Sequence, residues 1–180
     1  MQNEDLRAFV ALGTNLPHRG VAGADLLSQA LGAMEREGLR VLAVSRAWKS
    51  RAWPPSEQAD FVNAVARIAT DARTPTQIYK RLTRVERAFG RKRGDERWAA
   101  RTLDLDLIDV DGWSEPEGGI ILPHPHAHER AFVLAPLVEI APDWRHPSLG
   151  AGAAGLLAAA PDVGLEPLGP LHIAKLPEAD

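Results

Sequence analysis

A chain of 180 residues, 45% of them hydrophobic, is sized for one domain or one domain with an appendage. It has no cysteine, which excludes disulfides, thiolate metal sites and a cysteine nucleophile, and its net charge is only −3. The polar start "MQNEDLR" lacks the apolar stretch of a secretion signal, and no apolar run reaches the ~18–20 residues that cross a bilayer; a cytoplasmic protein without membrane contact is expected.

Residues 6–12 are short and apolar-rich and read as a strand, broken by Gly13 in "LGTNL". A helix is expected over 25–37, where Leu27, Ala30, Leu31 and Met34 form a stripe at helical spacing that Gly38 stops. Residues 39–48 return to strand character, and "KSRAWPPSEQAD" is a loop because Pro54-Pro55 cannot sit inside a sheet. Residues 61–69 form the next strand. The second helix is the best marked: Thr74 stands at the N-cap, Pro75 at the first helical position and Gln77 where a capping box wants it. Ile78, Leu82, Val85 and Phe89 give its apolar stripe, and Gly90 ends it. A loop over 91–101 leads into a strand over 102–108, Asp111-Gly112 is a turn, and 120–122 are a candidate further strand. Past Pro142 the composition shifts to Ala, Gly and Pro, which predicts a peripheral helix and a loosely held end. The order β-α-β-β-α-β predicts an α+β, ferredoxin-like split βαβ fold, a mostly antiparallel sheet with helices on its core face. Residues 1–145 would form its working body and 146–180 a peripheral tail.

Two features stand out chemically. Residues 80–101 hold nine basic and three acidic side chains, so this stretch carries +6 and the rest of the chain −9. A local basic patch on an acidic chain points to a discrete anionic ligand more than to a long polyanion. In the strand that follows, alternation sends Leu103, Leu105 and Leu107 to the core, and Asp104 and Asp106 to the other face with their Cα atoms about 6.5–7 Å apart. Their mutual repulsion, roughly 2–2.5 kcal/mol at an effective dielectric near 20, is tolerable on a solvated strand face. Strands nevertheless disfavour Asp, and two carboxylates beside arginines suit Mg²⁺ and phosphate. A phosphoryl-transfer site and a plain solvated face both fit at this point.

The stretch "RWAARTLDLDLI" resembles the signature of the 6-hydroxymethyl-7,8-dihydropterin pyrophosphokinases of folate biosynthesis. "ALGTNL", "QADFVNAV", "RVERAFGR" and "LPHPHAHERAFVLAPLVEIAP" agree with the family in the same order, over roughly residues 9–142. The resemblance implies a ferredoxin-like enzyme that moves the β,γ-diphosphate of ATP to the pterin hydroxymethyl group and releases AMP, with two Mg²⁺ ions. It implies that Asp104 and Asp106 hold the metals and that Arg91 and Arg101 stabilise the transition state. ATP would meet Glu86, Arg93, Arg97, Trp98, His124 and Arg130. Phe61 and Phe132 would sandwich the pterin ring, Asn63 would hydrogen-bond its edge, and Ser50 and Trp53 would complete that pocket. Thr14 and Asn15 would turn the chain beside the substrate.

The chain departs from the family in the loop after the second strand, where Arg51 and Ala52 replace expected prolines, and near the nucleotide at Gly119, Ile121 and Pro125. His126 and His128 are expected to be surface histidines, and zinc at "HPHAH" lacks an evident fourth ligand. The glycine-punctuated loop over 91–101 is expected to be ordered by ATP and Mg²⁺. The expected partners are small molecules only, with no nucleic acid, acting on a monomer. Two other readings stay open: a cyclase-like Mg-dependent transferase without a pterin pocket, and a ferredoxin-like RNA-binding module.

Overall fold

Apolar alternation between breakers yields six strands in the computed structural model, which describes residues 5–91, 100–114 and 116–175. They are β1 (Leu6–Thr14), β2 (Arg40–Val44), β3 (Ala47–Ser50), β4 (Phe61–Thr70), β5 (Asp104–Val110) and β6 (Glu166–Gly169). The sheet runs β5-β1-β4-β3-β6 with β2 also on β4, and every pair is antiparallel. This is the expected split βαβ class, with β4 between β1 and the strands that the first helix leads to.

Helices α1 (Gly23–Arg36) and α2 (Pro75–Ala88) bring their stripes onto one face. Leu27, Leu31 and Met34 of α1 and Ile78, Leu82 and Val85 of α2 share one core with Val10, Leu12, Ile68, Leu105 and Leu107. Each such leucine or isoleucine contributes about 1.5–3 kcal/mol on burial. The Thr74 cap forms as read, its side chain accepting the Gln77 N–H at 3.3 Å, while Gln77 reaches one residue past the N-cap, to the Arg73 N–H at 2.9 Å. Gly38 stops α1 at φ +74, and a Cβ there would meet the Arg81 guanidinium at 2.8 Å.

Three features differ from the sequence expectation. The strand over 39–48 is two strands, because side chains replace sheet hydrogen bonds at Ser45-Arg46. Ser45 Oγ accepts the Val65 N–H at 3.0 Å, and the Glu139 carboxylate accepts the Arg46 N–H at 2.9 Å and the Trp48 indole N–H at 3.0 Å. A partner 93 positions away is invisible to local alternation. Residues 120–122 are not a strand; a single bridge, Glu117 with Ile120, closes a turn instead.

The third difference is a second covered face. Helix α3 (Ala131–Ile140) is apolar at every position but Glu139 and contains Pro136, so it shows no stripe to read. It lies opposite α1 and α2, where Val133 and Leu137 pack with Phe9, Val65 and Ile108, joined by Ala153 of α4 (Ala153–Ala159). The segment past Pro142 thus supplies α4 against α3 and the edge strand β6, with Val163 and Leu171 buried. A β-bulge sets the boundary of this roof. Phe9 pairs with Asp109 and Val10 with Leu107, which leaves Ile108 as the extra residue. Leu105 and Leu107 enter the first core and Ile108 the second, while Asp104 and Asp106 lie before the bulge. No helix among the described residues is long and apolar enough to cross a membrane.

Candidate active site

The register of the sheet assembles one polar row. Asp104 pairs with Gly13, Gly13 with Asn63, and Asp106 with Ala11. Residues two apart share a face, so Phe61 joins Asn63 on the side of the aspartates. Gly13 and Ala11 are the smallest neighbours available, and they leave a floor between the carboxylates and β4. Above it lies a cavity of about 480 Å³.

This cavity brings together most of the residues singled out in the sequence. Ser50, Trp53, Phe61, Asn63 and Phe132 line it, together with Arg101, Asp104, Asp106, His124 and Arg130. Asn63 is buried, and its amide donates to the equally buried Ser50 Oγ at 2.9 Å. The Arg130 guanidinium sits 5.9 Å from the Phe132 ring centroid. A second cavity of about 810 Å³ lies beside it, lined by Tyr79, Lys80, Thr83, Arg84 and Arg87 of α2 and by residues of the 118–125 turn. The two cavities share Asp106 and His124. Arg93, Arg97 and Trp98 lie outside the described residues, as does most of the loop expected to respond to nucleotide.

Charge is nearly balanced at the junction. Asp104 accepts from Arg91 at 2.7 Å and from Arg101 at 2.8 Å, and Asp106 accepts from Arg130 at 3.2 Å. Among the described residues Arg130 Nε, which is buried, has no hydrogen-bond partner, so one of its donors is still unmatched. Glu86, expected to meet ATP, is not among the described residues that line either cavity. It is buried, accepts the Leu105 backbone N–H at 2.8 Å, and contacts the Arg91 guanidinium. It therefore fixes both β5 and the arginine that reaches Asp104. Burial, with Asp104 and Asp106 nearby, pushes its carboxyl up to about 7 against the pull of Leu105 and Arg91. Burial and the Asp104 charge also raise Asp106, and Arg130, Arg101 and Arg91 oppose this.

His124 is pushed down to about 4 by burial, then by Arg130 and His126, so it is neutral at neutral pH. Its Nδ1 accepts the His126 backbone N–H at 3.2 Å, which puts the ring proton on Nε2 as a donor. His126 is exposed as expected, but it also lines the mouth of the cavity. His128 is not a surface residue; it is half-buried, edge-on to His146 at 5.7 Å.

Sequence reasoning undervalued Asn15. Its side chain accepts the Arg101 N–H at 2.8 Å and donates to Gln58 at 3.2 Å, so it ties a site arginine to the far wall of the cavity. Only its place after Gly13 in the turn hinted at this.

The family model described as 7,8-dihydro-6-hydroxymethylpterin-pyrophosphokinase (HPPK) matches residues 9–142. The chain belongs to the HPPK family. It is 39% identical over 163 residues to the 2-amino-4-hydroxy-6-hydroxymethyldihydropteridine pyrophosphokinase of Pseudomonas aeruginosa, covering 90% of this chain and 96% of that one. It is 36% identical over 141 residues to the enzyme of the same name from Methylorubrum extorquens, covering 76% and 84%. Among solved structures it resembles the wild-type HPPK-DHPS of Plasmodium falciparum, with a TM-score of 0.68 at 11% identity, over 88% of this chain. It spans 44% of that chain, and at this identity the likeness speaks for the fold alone. The matched residues 9–142 include every described residue that lines the two cavities.

Among the described residues no three or more His, Cys, Asp or Glu side chains gather into a metal cage. Two carboxylates are instead the donor set that suits Mg²⁺ completed by phosphate oxygens and water.

Proposed function

We propose that this HPPK-family chain transfers the β,γ-diphosphate of ATP to the hydroxymethyl group of 6-hydroxymethyl-7,8-dihydropterin in folate biosynthesis. The observation that carries the reading is the meeting of two cavities at Asp106 and His124. A two-substrate reaction needs such a junction, with an aromatic-lined pocket on one side and a basic one on the other. The smaller cavity has Phe61, Phe132 and Trp53 for a flat ring, and the polar Asn63 and Ser50 for its edge. The larger one offers Lys80, Arg84 and Arg87 to a nucleotide.

Asp104 and Asp106 would hold two Mg²⁺ ions, which supply charge neutralisation of the triphosphate. The pterin hydroxyl oxygen forms a bond to the β-phosphorus, the bond from that phosphorus to the α-phosphate oxygen breaks, and AMP leaves. The hydroxyl proton is released to solvent. Arg101 and Arg130, now on the carboxylates, border the smaller cavity, and together with Arg91 they would exchange those carboxylates for phosphate oxygens. The His124 Nε2–H can donate to a phosphate oxygen without adding charge. The enzyme would act as a monomer in the cytoplasm. Incubation with ATP, Mg²⁺ and the hydroxymethyldihydropterin should yield AMP and a diphosphorylated pterin by nucleotide chromatography. Formation of ADP, or no pterin product, would overturn the reading.

A further inference from the structure

We infer that the C-terminal segment over residues 161–175 is a buttress of the pterin pocket that sets affinity for the pterin and leaves affinity for the nucleotide untouched. The inference rests on the proposed function for the identity of that pocket.

The wall from Ser50 to Gln58 carries Arg51, Trp53 and Pro54 into the smaller cavity. Its pairing with the sheet ends early: Ser50 with Phe61 is the last partnership between β3 and β4. The next backbone hydrogen bond along this wall is made to the tail, where the Arg51 N–H donates to the Val163 carbonyl at 2.9 Å. On its other edge β3 pairs with β6, Trp48 opposite Pro167 and Lys49 opposite Glu166. Lys49 reaches both Asp60, at the far end of the loop, and Glu166, at 3.5 and 3.7 Å.

The segment is itself anchored. Val163 and Leu171 are buried, and the Ala174 N–H donates to the Ser28 carbonyl of α1 at 3.1 Å. At the point of contact the chain turns at Gly164, with φ +65, and the Arg51 side chain lies across it; a Cβ there would stand 3.1 Å from Arg51 Nε. Glycine thus permits both the turn and the close approach of an arginine that lines the pocket. The described residues lining the larger cavity come from α2, β5 and the 118–125 turn, and none from this segment. Loosening the tail therefore frees one wall of one cavity, and ordering that wall must then be done at the expense of binding.

Two proteins test this: the full chain with Gly164→Val, a β-branched residue at positive φ placed against Arg51, and a chain ending at Ala160. Pterin and a non-hydrolysable ATP analogue are titrated separately by calorimetry with Mg²⁺ present, and exchange of the Arg51 amide is followed by NMR. The expected result is pterin binding weakened about tenfold or more, nucleotide binding within about twofold, and a faster-exchanging Arg51 amide. Should the shortened chain fail to fold, Gly164→Val decides, since that position is exposed. Unchanged pterin affinity with a deprotected Arg51 amide would overturn the buttress, as would equal losses for both ligands. If the unmodified chain binds no pterin, the proposed function fails; the buttress is then judged by whether Arg51 exchange responds to Gly164→Val.

Discussion

Asp106 and Asp109 lie on the same strand and the same sheet face, three residues apart, and have opposite surroundings. Asp109 sits under the roof of α3 and α4, is buried, and accepts the Trp144 indole N–H at 2.8 Å and the Val110 N–H at 3.0 Å. Its partners are fixed parts of the fold. Asp106 accepts from Arg130 and Asp104 from Arg101, guanidinium groups that also border the smaller cavity, and Asp104 accepts from Arg91 as well. Those partners can be exchanged for others. A structural carboxylate and a working one are therefore told apart by whether the donors can leave, not by burial or by charge. The bulge at Ile108 makes the contrast possible, since it returns Asp109 to the outer face just where the roof begins.

The sharpest way to break this comparison is to remove each carboxylate. Asp104→Ala or Asp106→Ala should cut turnover by ~10³-fold or more, as loss of a charge-stabilising group at a reacting centre does, with thermal unfolding showing a folded protein. Activity within tenfold of the unmodified chain would refute the metal assignment. Arg101→Ala should follow at ~10²–10³-fold in kcat, the range for a single electrostatic donor. An effect confined to KM would instead make Arg101 a binding group. Asp109→Ala should do the reverse of Asp106→Ala. It strands the N–H of the half-buried Trp144 and costs about 1–3 kcal/mol of stability by denaturant titration, while the folded fraction keeps its turnover. A stable but inactive Asp109→Ala would erase the distinction.

What was legible in the sequence follows the range over which each signal acts. The α2 cap, the α1 and α2 stripes and the Leu103–Leu105–Leu107 alternation are local, and the structure contains them all. The aspartate pair was legible because a strand reports its two faces at a period of two. Helix α3 was hidden because a helix with Glu139 as its single polar residue has no polar face to give it away, and Pro136 argued against it. The split between β2 and β3 was hidden because Glu139, on that unseen helix, holds the break open. The same holds for the site. Residues inside a recognisable signature were named, Asn15 among them, but the bonds of Asn15 and Arg51 to Gln58, Arg101 and Val163 were not legible, because those partners are distant in the chain.

A pair of opposed pH dependences, which leave the chemistry untouched, separates the two sides of the junction. Glu86 has its folded pKa raised to about 7 from an ordinary value of 4.5, so the folded protein holds a proton that the unfolded chain has released. Its contribution is fully present below 4.5 and is lost as pH rises through 7. His124 has its folded pKa lowered to about 4 from 6.5, so its contribution is present above 6.5 and is lost as pH falls through 4. Each is worth roughly 3 kcal/mol at most, and between 4.5 and 6.5 they oppose one another. The difference between a variant and the unmodified chain reads each group together with its coupling to the neighbouring carboxylates. Relative to the unmodified chain, Glu86→Gln should gain stability as pH rises from 4.5 to 7, and His124→Gln should gain it as pH falls from 6.5 to 4. Thermal unfolding at a series of pH values, without ATP or Mg²⁺, reads both curves. Two flat difference curves would mean that neither group is held away from its ordinary titration by the site around it.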